Sequence, residues 1–261
     1  MFPNHIPNPE NKDAMASICQ ATLDNKGDLG IIFDTDVDRA AIVGPNGRPI
    51  NKNALIALIS TIILEEHPQT TIVTDSVTSN GLANFIKAKG GIHHRFKRGY
   101  KNVINEAIRL NEEGRESHLA IETSGHAAIK ENYFLDDGAY LISKILVKAA
   151  QLYRESQDIG KLIGDLDEAL EDKEIRLKIE DKDFRSYANN LIASLSEKIK
   201  TIDGWTQVAE NYEGIRVDCR DEKGWFLMRS SLHEPLLVIN FESNIKGGCD
   251  LISEKLLALI K

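Results

Sequence analysis

Three aspartates alternate in Phe33-Asp34-Thr35-Asp36-Val37-Asp38-Arg39-Ala40, and an arginine closes the series. Carboxylates packed this closely repel one another and raise each other's pKa unless a cation sits among them. A donor set made only of oxygen suits a hard metal, Mg²⁺ above all, with Asp34, Asp36 and Asp38 as the ligands. The apolar run Leu29-Gly30-Ile31-Ile32-Phe33 ahead of them reads as a buried strand. The cluster therefore falls at the strand's C-terminal end, where open α/β sheets place their ligands. A solvated acidic turn is the plainer alternative, and the preceding strand and Arg39 weigh against it. A calcium EF-hand loop starting at Asp34 would need glycine in its sixth place and glutamate in its twelfth. Those places hold Arg39 and Pro45, which excludes it.

Two further clusters carry chemistry. Ile121-Glu122-Thr123-Ser124-Gly125-His126 also follows a strand-like run. Glutamate accepts hydrogen bonds from sugar hydroxyls, serine donates or accepts, and Gly125 permits close backbone approach. A strand-to-helix connection with Ser124 capping a turn would look the same. Met228-Arg229-Ser230-Ser231-Leu232-His233-Glu234-Pro235 lies between two strand-like runs. Its arginine and hydroxyls suit a phosphate, although an ordinary polar hairpin loop has the same composition.

The elements that must position these residues alternate. A helix over about 10–26 precedes strands at 29–33 and 40–43, with a turn at Gly44-Pro45-Asn46-Gly47. A helix at about 52–66, a strand at 71–74 and a helix at about 79–89 follow. Then come a short strand at 93–96, a helix at about 100–112, a strand at 118–122 and a helix at about 137–154. This order predicts an α/β fold with a mainly parallel sheet in three layers, preceded by part of another such domain. Beyond a charged linker the strands crowd together, at 174–179, 206–209, 214–219, 224–229 and 236–242. Helices at about 182–199 and 247–260 flank them, which predicts a small α+β antiparallel domain. The expected divisions are 1–50 with the acidic loop, 51–170 with the Glu122 loop, and 171–261 with the Arg229 loop.

Composition bounds the function. The net charge of −8 argues against general nucleic-acid binding. Cys19, Cys219 and Cys249 are scattered and odd in number, which suggests reduced thiols in a cytoplasmic protein. The opening residues have no apolar core of a signal peptide. The longest apolar stretch, Ala54 to Leu64, is interrupted by Ser60 and Thr61 and is too short to span a bilayer. It reads as a buried helix, and no membrane partner is expected.

In this order the three clusters resemble the α-D-phosphohexomutases, the phosphoglucomutases and phosphomannomutases. That family's metal loop, D-G-D-x-D-R, is matched by Asp34, Asp36, Asp38 and Arg39. Its sugar loop, G-E-x-S-G-H, is matched by Glu122, Ser124, Gly125 and His126. Its phosphate loop, R-x-S-G-T-E-P, is matched by Arg229, Ser231, Glu234 and Pro235. The resemblance implies Mg²⁺ at the aspartates, a hexose phosphate as substrate, and interconversion of its 1- and 6-phosphates through a phosphoserine and a bisphosphate. Arg39, Lys101 and His126 would serve the chemistry. Glu122, Ser124 and Gly125 would hold the sugar, and Arg229, Ser231 and His233 the phosphate.

Departures from the pattern are informative. Thr35 and Val37 stand where the metal loop often has small glycines, and Leu232-His233 replaces Gly-Thr in the phosphate loop. The family's lysine after the strand ending at Thr74-Asp75 is missing from Ser76-Val77-Thr78-Ser79. The phosphoserine loop T-A-S-H-N-P is absent from the sequence. The chain is therefore expected to be a C-terminal portion, inactive alone and prone to self-associate through a truncated sheet. Two other readings stay open. Haloacid-dehalogenase-like phosphatases also place D-x-D after a strand, and Thr74, Lys101 and Asp136-Asp137 could mimic their remaining motifs. A sugar-phosphate-binding module without catalysis is the other.

Overall fold

Asn11 starts the first helix, α1 (Lys12–Asp24), by accepting the Ala14 N–H on its side chain. The helix covers a three-stranded antiparallel sheet of β1 (Gly30–Phe33), β2 (Ala40–Val43) and β3 (Pro49–Ile50), with β1 at one edge. Phe33 pairs with Ala40, so the acidic residues 34–39 form the tip of the β1–β2 hairpin. Ala14 and Met15 pack on Ile32, Ala41 and Val43. The structure is a computed structural model that describes residues 2, 4–231 and 234–260. It contains two compact units, Met1–Asp167 and Glu168–Lys261.

Within the first unit, α2 (Lys52–Glu66) is buried at every residue from Ala54 to Leu64. A helix apolar on all sides belongs in a core, as this one does. It is followed by β4 (Thr71–Thr74), α3 (Asn80–Ala88), β5 (Ile92–Arg95), α4 (Tyr100–Glu112), β6 (Ser117–Ile121), β7 (Ala127–Ile129) and α5 (Gly138–Arg154). The sheet runs β5-β4-β6-β7, with β5 and β6 parallel to β4 and β7 antiparallel to β6. Alternation along the strands divides the faces. Ile72, Leu119 and Ile121 join the core that contains α2 and Ile142 and Ile145 of α5. Val73 and Ala120 join Val103, Ala107 and Leu110 of α4 on the other side. This is the three-layer arrangement expected from the element order. The strands β3 and β7 have no counterpart in the sequence pattern, because two and three residues are too short to show alternation.

The second unit contains β8 (Glu171–Lys178), α6 (Phe184–Ile199), β9 (Trp205–Gln207), β10 (Ile215–Cys219), β11 (Gly224–Ser230), β12 (Leu236–Ser243) and α7 (Gly248–Ile260). Its sheet is wholly antiparallel, in the order β8-β12-β11-β10-β9. Ile215, Val217, Phe226, Met228, Ile239 and Phe241 form one apolar face, which packs with Leu195 of α6 and Ile252 of α7. Among the described residues no helix is long and apolar enough to cross a membrane.

Candidate active site

Asp34 leaves β1 with its side chain fully buried. Its Oδ2 accepts from Arg39 Nε at 2.7 Å and its Oδ1 from the Arg39 N–H at 3.2 Å. Burial pushes this carboxyl up, but the Arg39 donors outweigh burial and hold it below its ordinary range. The hairpin tip turns through Val37 at φ +66°, a left-handed conformation that a β-branched side chain adopts only at a cost of roughly 1–2 kcal/mol. Glycine, frequent in such loops, would sit there without strain. Asp36 is exposed, and Asp38 is partly buried.

The second loop closes on the first. β6 ends at Ile121, and Glu122-Thr123-Ser124-Gly125-His126 turns back into β7. Glu122 N–H donates to His126 O at 3.0 Å, and Gly125 N–H to Glu122 O at 3.0 Å. Arg39 and His126 form an antiparallel β-bridge, and Ala40 N–H donates to Gly125 O at 3.3 Å. Gly125 has φ +98°, and a Cβ there would fall 2.5 Å from Ala40 O. Only glycine lets the two loops approach this closely. A third contact of the clamp comes from the first residue of α5, where Gly138 N–H donates to Val37 O at 3.0 Å.

The clamp brings distant side chains together. His126 Nδ1 donates to Asp136 Oδ2 at 2.8 Å and lies 3.6 Å from Asp38 Oδ2. The Tyr100 ring stacks on the imidazole at 5.0 Å between centroids. Burial pulls the His126 pKa down, but Asp136, Asp38 and Glu122 outweigh burial and raise it. Asp38 is raised by burial and by the Asp34 and Asp136 charges, against the opposing pull of His126. Glu122 is almost wholly buried, and its Oε1 accepts the Gly99 N–H at 2.5 Å. Ser124 Oγ lies 3.4 Å from the other carboxyl oxygen. Burial, then the Asp75 charge, push Glu122 up to about 7. A cavity of about 260 Å³ adjoins the loop, lined by Asn11, Lys12, Asn51, Lys52, Ser124 and Gly125.

The aspartates fit a hard cation. One oxygen from each of Asp34, Asp36 and Asp38 lies within 4.8 Å of the others. Asp38 Oδ1 is buried and has no hydrogen-bond partner among the described residues. A second group, Asp38, His126 and Asp136, converges as tightly. There the imidazole nitrogen is already engaged by Asp136, so an acid–base pair describes it better than a ligand set.

The remaining predicted residues divide. Lys101 is exposed, with Nζ 5.7 Å from the Tyr100 ring centroid, and makes no ion pair among the described residues. Arg229 sits on β11 itself, nearly buried, with Nη1 3.9 Å from Glu213. Ser231 follows the strand, and its Oγ accepts the Glu234 N–H at 3.4 Å. His233 lies outside the described residues. Asp75, Gly99 and Tyr100 were not among the candidates from sequence. Asp75 had a signal, its place at the end of a parallel strand beside the one carrying Glu122. Gly99 contributes only a backbone N–H and had none.

Comparison with known proteins gives this arrangement a family. Residues 51–168 match the model described as phosphoglucomutase/phosphomannomutase, alpha/beta/alpha domain III, and residues 1–47 match domain II of the same family. The chain belongs to the phosphoglucomutase/phosphomannomutase family. It is 26% identical over 261 residues to a phosphoglucomutase of Neisseria gonorrhoeae, covering 100% of this chain and 53% of that protein. It is 29% identical over 253 residues to a phosphomannomutase/phosphoglucomutase of Pseudomonas aeruginosa, covering 96% and 51%. The crystal structure of a phosphoglucomutase/phosphomannomutase family protein from Burkholderia thailandensis superposes with a TM-score of 0.81 at 27% identity, over 100% of this chain and 52% of that one. The chain thus spans about half the length of the relatives it matches.

Proposed function

We propose that this chain carries the metal-, sugar- and phosphate-binding elements of a phosphohexomutase, which interconverts hexose 1-phosphate and hexose 6-phosphate. The observation that carries this reading is the clamp between Arg39-Ala40 and Gly125-His126. It joins an oxygen-rich cation site to a sugar-type loop from a remote part of the chain. A separate acidic turn and a separate capped loop would have no reason to meet.

Asp34, Asp36 and Asp38 would hold Mg²⁺, which when bound neutralises charge on a phosphoryl group and polarises it. Arg39 keeps Asp34 ionised and fixes its direction. His126, steadied by Asp136 and Tyr100, exchanges a proton with a substrate hydroxyl. Glu122 and Ser124 would orient the sugar, and within the second unit Arg229 and Ser231 would bind a phosphate. These 261 residues hold no serine in a loop like the family's nucleophile, so the role proposed for them is to bind and position the substrate and to supply the His126 proton exchange.

The test is a coupled assay of glucose 1-phosphate conversion, run beside calorimetric titration with the same sugar phosphate in Mg²⁺. Binding that weakens in Ser124→Ala, without turnover by the 261 residues alone, supports the proposal. Turnover abolished in Asp36→Asn would refute the expectation that the chain is inactive alone. Release of free phosphate blocked by Asp34→Asn would replace the mutase reading with the phosphatase one.

A further inference from the structure

The apolar stripe of α4 runs out of the core and into the site. Val103, Ala107 and Leu110 follow one another at helical spacing and are buried with Val73 and Ala120 of the sheet. Tyr100 is the next member of that stripe towards the N-terminus, yet it is 38% exposed. Its ring packs on His126 instead, with the planes 21° from parallel and the centroids 5.0 Å apart. Flat rings in face contact lie closer than that, so the two are displaced sideways and part of the phenol face stays open. The residue before Tyr100 is tied to the Glu122 loop, because Gly99 N–H donates to Glu122 Oε1 at 2.5 Å. Backbone and ring contacts together hold the phenol beside Glu122 and His126. We propose that Tyr100 is a further substrate-contacting residue, whose open ring face packs against the C–H face of a hexopyranose. The proposal rests on the sugar-loop role of Glu122 and Ser124 given above, and adds to it a preference for cyclic over acyclic phosphates.

A pyranose of the glucose type is amphipathic. Its hydroxyls leave the ring around the rim, and its axial C–H bonds make two apolar faces. Carboxylate, hydroxyl and imidazole groups satisfy the rim by hydrogen bonding. They do not take a C–H face out of water, whereas a flat aromatic ring does. The weakly positive C–H hydrogens also meet the negative face of the aromatic quadrupole, and a tyrosine loses little side-chain freedom in doing so. Lys101 Nζ stands 5.7 Å from the same ring centroid. A cation at the margin of the platform suits a ligand that carries a phosphate as well as a ring. If Tyr100 only steadied His126, its loss would affect every ligand of the site alike. A platform for the sugar face distinguishes ligands by whether they have a ring.

NMR titration of the 261-residue protein in Mg²⁺, which reads weak binding, compares glucose 1-phosphate with glycerol 1-phosphate, a ligand with the phosphate but no ring. Wild type should bind the glucose ester more tightly. Tyr100→Ala should weaken glucose 1-phosphate binding about tenfold and leave glycerol 1-phosphate near its wild-type affinity. Tyr100→Phe keeps the flat face and should restore glucose 1-phosphate binding. If Tyr100→Ala fails to fold, Tyr100→Leu takes its place, since leucine keeps apolar bulk without a flat face. Glucose 1-phosphate affinity unchanged without the aromatic ring overturns the proposal. So does equal weakening of both ligands, which would mark Tyr100 as a support of the loop alone. A loss in Tyr100→Phe as large as in Tyr100→Ala would assign the contact to the hydroxyl and overturn the platform. Wild-type protein that binds neither ligand would refute the sugar-loop reading itself, and this inference with it.

Discussion

Arg39 Nε lies 2.7 Å from Asp34 Oδ2, and the same residue's N–H reaches Asp34 Oδ1 at 3.2 Å. One residue thus donates to both oxygens of a carboxylate that has no exposed side-chain surface, and each oxygen keeps a lone pair for a cation. The contact makes the hairpin tip a rigid frame from which Asp36 and Asp38 project. Asp34→Asn should destabilise the first unit by about 2 kcal/mol, since Arg39 loses its charged partner. Chemical denaturation of wild type and variant checks this, and an unchanged midpoint would show that the pair contributes nothing to the frame.

Asp36 is exposed, and among the described residues its side chain accepts one long hydrogen bond, from the Thr35 hydroxyl at 3.4 Å. Asp36→Asn should therefore leave stability within about 0.5 kcal/mol of wild type. It should nevertheless remove the heat of Mg²⁺ binding in a calorimetric titration. The wild-type affinity is expected to be weak, because three carboxylates and water make up the shell without a phosphate oxygen. An equal heat in the variant would take Asp36 out of the metal site.

Gly125→Ala tests the clamp. The added Cβ meets Ala40 O at 2.5 Å, and the residue must hold φ +98°. A loss of about 2 kcal/mol is expected from strain and from the displaced β-bridge. Hydrogen exchange should speed at the amides of Ala40 and Glu122, which are bonded across and within the clamp. Protection unchanged at both amides would mean that the loops hold together by other contacts.

Glu122 gives a pH signature with a defined sign. Its pKa is raised in the folded state, from 4.5 to about 7, so folding favours the protonated form. Below 4.5 both states carry the proton and the group contributes no pH dependence. As pH rises towards 7 the unfolded chain releases its proton first, and folding stability falls by about 3 kcal/mol in total. Glu122→Gln keeps the carbonyl acceptor and removes the charge. The variant should gain stability relative to wild type across this window and hold the gain above it. Parallel stability curves for the two proteins would contradict the raised pKa.

The sequence by itself determined much of this protein. An all-apolar helix at 52–66, the strand at 71–74, a strand read at 118–122 and found at Ser117–Ile121, and the amphipathic helix at 100–112 follow from periodicity that no tertiary contact had to override. The acidic loop and the Glu122 loop could be read as candidates because each follows a strand-like run, where open α/β sheets place their ligands. What the tertiary structure alone decided is adjacency. Nothing local says that His126 lies between Asp38 and Asp136, that Tyr100 stacks on it, or that Gly99 and Asp75 share Glu122. β7 has only three residues, too few to announce itself, yet its pairing with β6 turns the loop towards Arg39. Spacing along a chain fixes which residues leave a strand end together. The pairing of that end with another, through backbone hydrogen bonds and a glycine small enough to admit them, fixes which side chains share a proton.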